Sequence, residues 1–300
     1  MRDVVIMDKK IFDSYVKAGV IASEIKKEII PDIFVDAKLL DIAEKIENMI
    51  RDNGGEPAFP VNLSLNEIAA HYTPIKNDPI VIKEKDILKI DLGVHIDGFV
   101  CDTAMTVCFD SDMNDLVKAS KLAAEEALKL CIPGTEIKDI SDVIEETITS
   151  FGYKPIANLT GHGLDKFNLH TEPQVPNVKN DINIELEENM VIAVEPFATT
   201  GQGLVKDSGT PMIFSMLRRL PVRNMDGRKI IEFSEKNNNL PFAERWLPID
   251  SRVKIKLAMT ELIQKGIMHE YPPLKEVNNG LVSQTEHTVI IRDKPVITSI

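Results

Sequence analysis

Asp91 and Asp102 are the residues of this chain whose spacing first points to chemistry. They lie in the run Lys89-Ile-Asp-Leu-Gly-Val-His-Ile-Asp-Gly-Phe-Val-Cys-Asp-Thr-Ala-Met-Thr106. Leu88, Ile90, Leu92, Val94 and Ile96 alternate with Lys89, Asp91, Gly93 and His95, the period-two pattern of a half-buried strand. Asp97-Gly98 suits a tight two-residue turn, because both positions tolerate positive φ. The predicted register then pairs Ile96 with Phe99, Val94 with Cys101, Gly93 with Asp102 and Asp91 with Ala104. That register puts both carboxylates on one face as diagonal neighbours, roughly 7–8 Å apart at the backbone. Gly93, with no side chain, is expected to leave the space between them open. Two carboxylates facing a gap repel each other unless a cation lies there. Hard oxygen ligands suit Mn, Mg, Fe or Zn, and two of them do not choose among these. One aspartate on a strand is most often merely solvated, whereas two on one face beside Gly and Ala favour half of a metal site.

Three later segments offer further ligands. Thr160-Gly-His-Gly163 sets a histidine between glycines, where backbone approaches closely. Val191-Ile-Ala-Val-Glu-Pro196 ends an apolar strand in Glu195, and Pro196 turns the chain out of the sheet. Gln284-Thr-Glu-His-Thr-Val-Ile-Ile291 starts the last strand around Glu286. Each has an ordinary reading on its own: a satisfied histidine, or a solvated strand-end glutamate.

The elements that must position these groups are legible as periodicity. Helical spacing runs through Ile11, Tyr15, Ala18, Ile21, Ile25 and Ile29 until Pro31. A second helix carries Leu40, Ala43, Ile46 and Ile50 as far as Gly54-Gly55. A strand-rich stretch from Phe59 to Phe109 follows. Then come a helix from about Asp112 with Leu116, Ala119, Ala123, Ala127 and Leu130, and another with Ile137, Ile140, Ile144 and Ile148. Strands resume with Met190–Val194. Helix, helix, strands thus occurs twice, and Pro57-Ala-Phe-Pro-Val-Asn-Leu63 faintly echoes Pro155-Ile-Ala-Asn-Leu159. The reading is an α+β chain of two similar halves sharing one mixed sheet. Residues 1–300 form a single catalytic domain in this reading, interrupted by an inserted helical subdomain at 203–274. Between Arg218 and Lys275 that insertion has twelve Lys/Arg against seven Asp/Glu, in a chain whose net charge is -12. A pI near 5.1 argues against general affinity for DNA or anionic membrane. Cys101, Cys108 and Cys131 stand in apolar surroundings and read as reduced core residues, which places the protein in the cytoplasm. The charged Met-Arg-Asp-Val-Val-Ile-Met-Asp-Lys-Lys start lacks the apolar run of a signal peptide, and no stretch has the length of a membrane span.

Taken together, Asp91, Asp102, His162, Glu195 and Glu286, in that order, resemble the dinuclear site of methionine aminopeptidases. Ala58-Phe-Pro60, Asn66-Glu-Ile-Ala-Ala-His-Tyr-Thr-Pro74, Lys89–Gly93, Glu195-Pro-Phe197 and the insertion before Glu286 are similar to the type II branch in its short archaeal form. The resemblance covers essentially the whole chain and implies the pita-bread fold, a pseudo-two-fold mixed sheet backed by helices. It implies two divalent cations (Co, Mn, Fe, Zn or Ni), with Asp91 on one, His162 on the other, Asp102 and Glu286 bridging and Glu195 beside the nucleophile. The implied reaction removes the initiator methionine from nascent chains with a small second residue, by attack of a metal-bridging water or hydroxide. Glu195 is then the base, and His71 and His170 contact the scissile carbonyl and amide. Phe59, Leu169 and Phe197 wall the methionine pocket, a shape that suits an unbranched thioether. His170-Thr-Glu-Pro and the chain end in Thr-Ser-Ile depart from the family pattern, which bears on the substrate rim.

From the residues alone, Ser64-Leu-Asn-Glu67 before His71 fits either a capping box opening a short helix or a strand. A creatinase-type prolidase or Xaa-Pro aminopeptidase would share the fold and the five ligands, but such proteins carry an N-terminal domain and lack the insertion. A non-catalytic peptide- or ribosome-binding relative is expected to have lost ligands. The resemblance implies a monomer acting on emerging chains. The basic insertion (Arg218, Arg219, Arg223, Arg228 and Lys229) is expected either to neutralise acidic neighbours or to make a transient ribosome contact.

Overall fold

The computed structural model describes residues 7–300. The charged N-terminal stretch read above begins in residues 1–6, outside the described part. Asp8 caps α1 (Lys9–Glu28), its carboxylate accepting from the Lys10 amide at 2.7 Å. Pro31 converts the end of α1 into one 3₁₀ turn, Ile30–Asp32. α2 (Leu39–Asp52) follows. Ile21, Ile25, Ile42, Ile46 and Ile50 of these helices bury against Leu63, Leu88, Ile90, Leu92 and Val94, so the helices cover one face of the first sheet. That sheet comprises β1 (Glu56–Pro57), β2 (Asn62–Leu65), β4 (Ile87–Ile96) and β5 (Phe99–Cys108), with β3 (Ile68–Ala70) beside it. The β4–β5 hairpin has Gly93 opposite Asp102 and Asp91 opposite Ala104. The Asp97-Gly98 turn dictates that register, with φ of 54° and 93° at its two residues.

The second half repeats the order. α3 (Asn114–Lys129) and α4 (Ile137–Ser150) pack Leu116, Ala123, Ile140 and Ile144 on the back of a sheet. The strands fall in two sheets: β7 (Thr160–Asp165) pairs with β8 (Asn168–Pro176) and with β9 (Val191–Val194), while β6 (Lys154–Pro155) pairs with β10 (Phe197–Thr199) in the other. The faint sequence echo has a structural counterpart. Pro57 pairs with Val94 and Pro155 with Ala198, and the next amides, Ala58 and Ile156, reach Gly93 and Phe197 carbonyls at 2.9 and 3.1 Å.

The 203–274 segment is not purely helical. β11 (Val205–Asp207) and, just past its end, β15 (Leu274–Glu276) pair with each other and with β3 of the main body. Between them, β12 (Ile213–Met216), β13 (Phe242–Ala243) and β14 (Met268–Tyr271) form a small antiparallel sheet. α5 (Met225–Lys236) and α6 (Arg252–Gln264) cover it around Phe214, Ile230, Phe242, Ile255 and Leu262. The helix-forming runs were legible, but β12 and β14 are too short to outweigh them without their long-range pairing. A buried cluster ties this unit to α2: the Arg245 guanidinium pairs with Glu47, and the Trp246 indole donates to Glu47 Oε2 at 2.8 Å.

β16 (Val282–Gln284), β17 (His287–Ile290) and β18 (Val296–Ile297) close the chain. Here the halves join. Ala104 and Glu286 exchange backbone hydrogen bonds at 3.2 and 3.1 Å, Thr103 Oγ1 donates to the Glu286 carbonyl at 2.7 Å, and Thr288 Oγ1 donates to that of Asp102 at 2.8 Å. No helix among the described residues is long and apolar enough to cross a membrane.

Candidate metal centre

The seam between the halves is where the candidate ligands converge. Asp91 and Asp102 come from adjacent strands of the first half, His162 from β7, Glu195 from the β9–β10 turn, and Glu286 from the link between β16 and β17. Gly161 and Gly163 let β7 sit tightly between its neighbours. A Cβ at Gly161 would lie 2.3 Å from the Ala193 carbonyl oxygen, and one at Gly163 2.3 Å from that of Glu172. The His162 imidazole is thereby set 3.8 Å from Asp102 and 3.7 Å from Glu195. Ligand atoms of Asp102, His162 and Glu286 all lie within 4.8 Å of one another.

The electrostatics of this cluster are those of anions lacking a counter-charge. Burial pushes the Asp91 carboxyl up to about 7. It also raises Asp102, Glu195 and Glu286 well above the usual carboxylate range, and their mutual repulsion adds to each. Burial, with His170 alongside, lowers His162 to about 3, so its imidazole is neutral and offers a lone pair at ordinary pH. Asp91 Oδ1 and Asp102 Oδ1 are buried with no hydrogen-bond partner among the described residues. Orphaned carboxylate oxygens beside a neutral imidazole fit divalent cations with mixed O/N preference.

All ten sequence-derived site residues line one cavity of about 250 Å³: Phe59, His71, Asp91, Asp102, His162, Leu169, His170, Glu195, Phe197 and Glu286. One expectation is corrected. The space above Gly93 is not open, because the Phe59 ring fills it: a Cβ there would meet Phe59 Cε1 at 2.3 Å. Gly93 therefore seats a pocket wall rather than leaving room for an ion. His71 resolves the choice left open by the sequence. It follows β3, not a helix, with φ of 65°. Its Nδ1 is buried with no hydrogen-bond partner among the described residues, and its ring meets Tyr271 edge-on at 5.7 Å. Burial, then the neighbouring His170, lowers its pKa to about 4. The His170 ring lies 4.5 Å from that of His162, at the exposed side of the site.

Several residues in and around the site escaped the sequence reading. Buried Gln284 holds the Asp91 and Glu195 carboxyls down against the rise that burial imposes, and its place two residues before Glu286 could have revealed it, since such residues share a face. Asn62, opposite Asp91, carried no comparable signal. Ile213, Pro241 and Tyr271 come from the insertion, so that unit walls the cavity, and only its folding back could show this.

The comparisons agree with this architecture. The pattern of metallopeptidase family M24 matches residues 13–292. A methionine aminopeptidase of Thermococcus onnurineus is 46% identical over 95% of this chain and 97% of its own. The structure of a thermophilic Arx1 superposes with a TM-score of 0.86 at 19% identity, over 98% of this chain and 91% of that one. Methionine aminopeptidase from Thermotoga maritima gives 0.72 at 21%, over 99% of each. The fold is the pita-bread architecture, two α+β halves of antiparallel strands joined where Ala104 bridges Glu286. With this family pattern over nearly its whole length, and a relative at that identity, the chain belongs to metallopeptidase family M24, among its methionine aminopeptidases.

Proposed function

We propose that this chain is a metal-dependent aminopeptidase that removes methionine from the amino terminus of peptides with a small second residue. The carrying observation is a carboxylate–imidazole cluster at the floor of a cavity of about 250 Å³ walled by Phe59, Leu169 and Phe197. Pockets for drug-sized ligands run roughly 300–1,000 Å³, so this one suits a single side chain and the terminus that carries it.

Asp91, Asp102, His162, Glu195 and Glu286 would hold two divalent cations (Co, Mn, Fe, Zn or Ni). When bound, these supply the positive charge that acidifies an attacking water and anchors the substrate amino group. Glu195, within reach of that water, takes its proton and passes it to the departing amine. His71, kept neutral by its low pKa, donates to the scissile carbonyl oxygen as negative charge develops there. His170 contacts the amide on the other side. Gln284, buried beside two of the carboxylates, helps to hold them in orientation, as outer partners of ligands do. Phe59, Leu169 and Phe197 exclude water and grip the thioether.

In this reading residues 1–300 are one catalytic domain, with 203–274 inserted in it, and the enzyme is a cytoplasmic monomer. Arg218, Arg219, Arg223, Arg228 and Lys229 are all exposed, which supports a transient contact with ribosomal RNA as chains emerge. Co-sedimentation with ribosomes at low and moderate salt tests this. Changing the five to Glu should release the protein, and equal pelleting would leave them as surface charge only. Substrate choice is tested with Met-Ala-Ser and Leu-Pro peptides. Methionine release with little Leu-Pro cleavage is expected; the reverse preference would make the enzyme a prolidase-like hydrolase instead.

A further inference from the structure

A second, larger depression lies on the reverse of the sheet, about 820 Å³ in volume, between α1 and α3 and closed at one end by the C-terminal residues. Ser23, Lys26, Lys27 and Ile30 fall at helical spacing on one wall, and Val117, Lys121 and Leu128 on the other. Thr285 and His287, flanking Glu286, alternate away from the metal cavity and line this one.

Two observations mark it as built for a ligand. The charge around it is one-sided: Lys26, Lys27, Lys121, Lys129 and Lys294 surround it, against Glu125. Lys129 is paired with Glu126, and Lys121 lies 4.0 Å from Glu125, but Lys26, Lys27 and Lys294 have no carboxylate partner among the described residues. Secondly, the interior is apolar, with Val117, Leu128, Pro295 and Ile297.

We propose that this groove binds a small organic anion, an apolar body bearing one phosphate or carboxylate head. The body lies along Val117, Leu128 and Ile297, and the head meets the lysines. Such a ligand would sit directly behind the metal centre. Lys26 Nζ bonds to Thr103 Oγ1 at 2.7 Å, and that hydroxyl holds the Glu286 carbonyl at 2.7 Å.

Calorimetric titration of the metal-loaded enzyme tests this with octyl phosphate and octanoate below their micelle concentrations. Inorganic phosphate and octanol serve as controls, and the two heads separate a phosphate ligand from a carboxylate one. One-to-one binding of at least one amphiphile is expected, at least tenfold tighter than either control. Lys27→Glu with Lys121→Glu and Lys294→Glu, all exposed and remote from the cavity chemistry, should weaken it at least tenfold while leaving methionine release unchanged. No saturable binding, binding as tight for octanol, or binding indifferent to the triple substitution would overturn the proposal; the last outcome would place the ligand on the metals.

Discussion

Gly93→Ala is the smallest change that should damage the enzyme, and its effect follows from one contact. The added methyl would stand 2.3 and 2.6 Å from two carbons of the Phe59 ring and 3.0 Å from Ala58 Cβ. Carbon atoms in contact prefer about 3.5–4.0 Å, so the ring must retreat by roughly 1.2 Å. Phe59 is 8% exposed and lines the cavity of about 250 Å³, so the open direction for that retreat is into the cavity proposed to take the methionine side chain. Overpacking of this size costs about 1–3 kcal/mol, which predicts a loss of kcat/KM of about five- to 150-fold. The loss should appear mainly in KM for Met-Ala-Ser, because the ligands and His71 are untouched, and metal content should be unchanged. Replacing Phe59 by Leu in the same chain removes the clash and should recover most of the loss, a coupling that a double-mutant cycle reads directly. Wild-type kinetics for Gly93→Ala would refute the assignment of Phe59 as the wall.

Three further outcomes are expected. His71→Ala should lower kcat by about two to four orders of magnitude, as for a group acting on the transition state, with metal content unchanged; loss of metal would make His71 a ligand. Arg245→Ala leaves the Glu47 carboxylate buried and unpaired, and should destabilise the fold by about 3–5 kcal/mol in urea unfolding. A small loss there would mean that Glu47 is hydrated in solution. In metal-free protein, Asp91 titrates near 7 and its carboxylate neighbours are raised as well, so the native state holds protons that the unfolded chain has released. Above the ordinary histidine pKa of about 6.5, the lowered histidines no longer oppose this, and the lowered Lys89 and Lys26 offset only part of the four carboxyls. The urea midpoint should therefore fall from pH 6.5 to 8 without metal and hold steady with it; a rising midpoint in the metal-free protein would contradict the raised carboxyls.

The β4–β5 hairpin was readable residue by residue, because strict alternation and an Asp-Gly turn leave one register. The four early helices were readable for a similar reason, their apolar stripes ending at Pro31, Gly54, Pro133 and Gly152. Convergence of His162, Glu195 and Glu286 on that hairpin was not readable from spacing. It depends on backbone exchange between Ala104 and Glu286, long separated in sequence, and only the family resemblance anticipated it. Gly93 was misread because an absent side chain was taken as space, when a ring from another segment occupies it. The insertion reads as a helical subdomain and does hold α5 and α6, but β12 and β14 were not readable, because they gain their stability from each other, not from local propensity. Its part in walling the cavity, through Ile213 and Tyr271, lies beyond any local pattern.

The most direct test of the central claim is metal content and methionine release measured on the same preparations, for wild type and for Glu286→Gln, purified without added metal and then titrated with divalent cations. Glu286 is 2% exposed at the seam of the two halves, beside Asp102 and His162, and its amide replacement keeps the shape while removing the charge. Wild type should bind two cations per chain, with release of methionine from Met-Ala-Ser rising as the sites fill. Glu286→Gln should keep its circular dichroism spectrum, bind metal far more weakly and lose nearly all activity. Full activity in Glu286→Gln, or activity in wild type that ignores bound metal, would contradict the account.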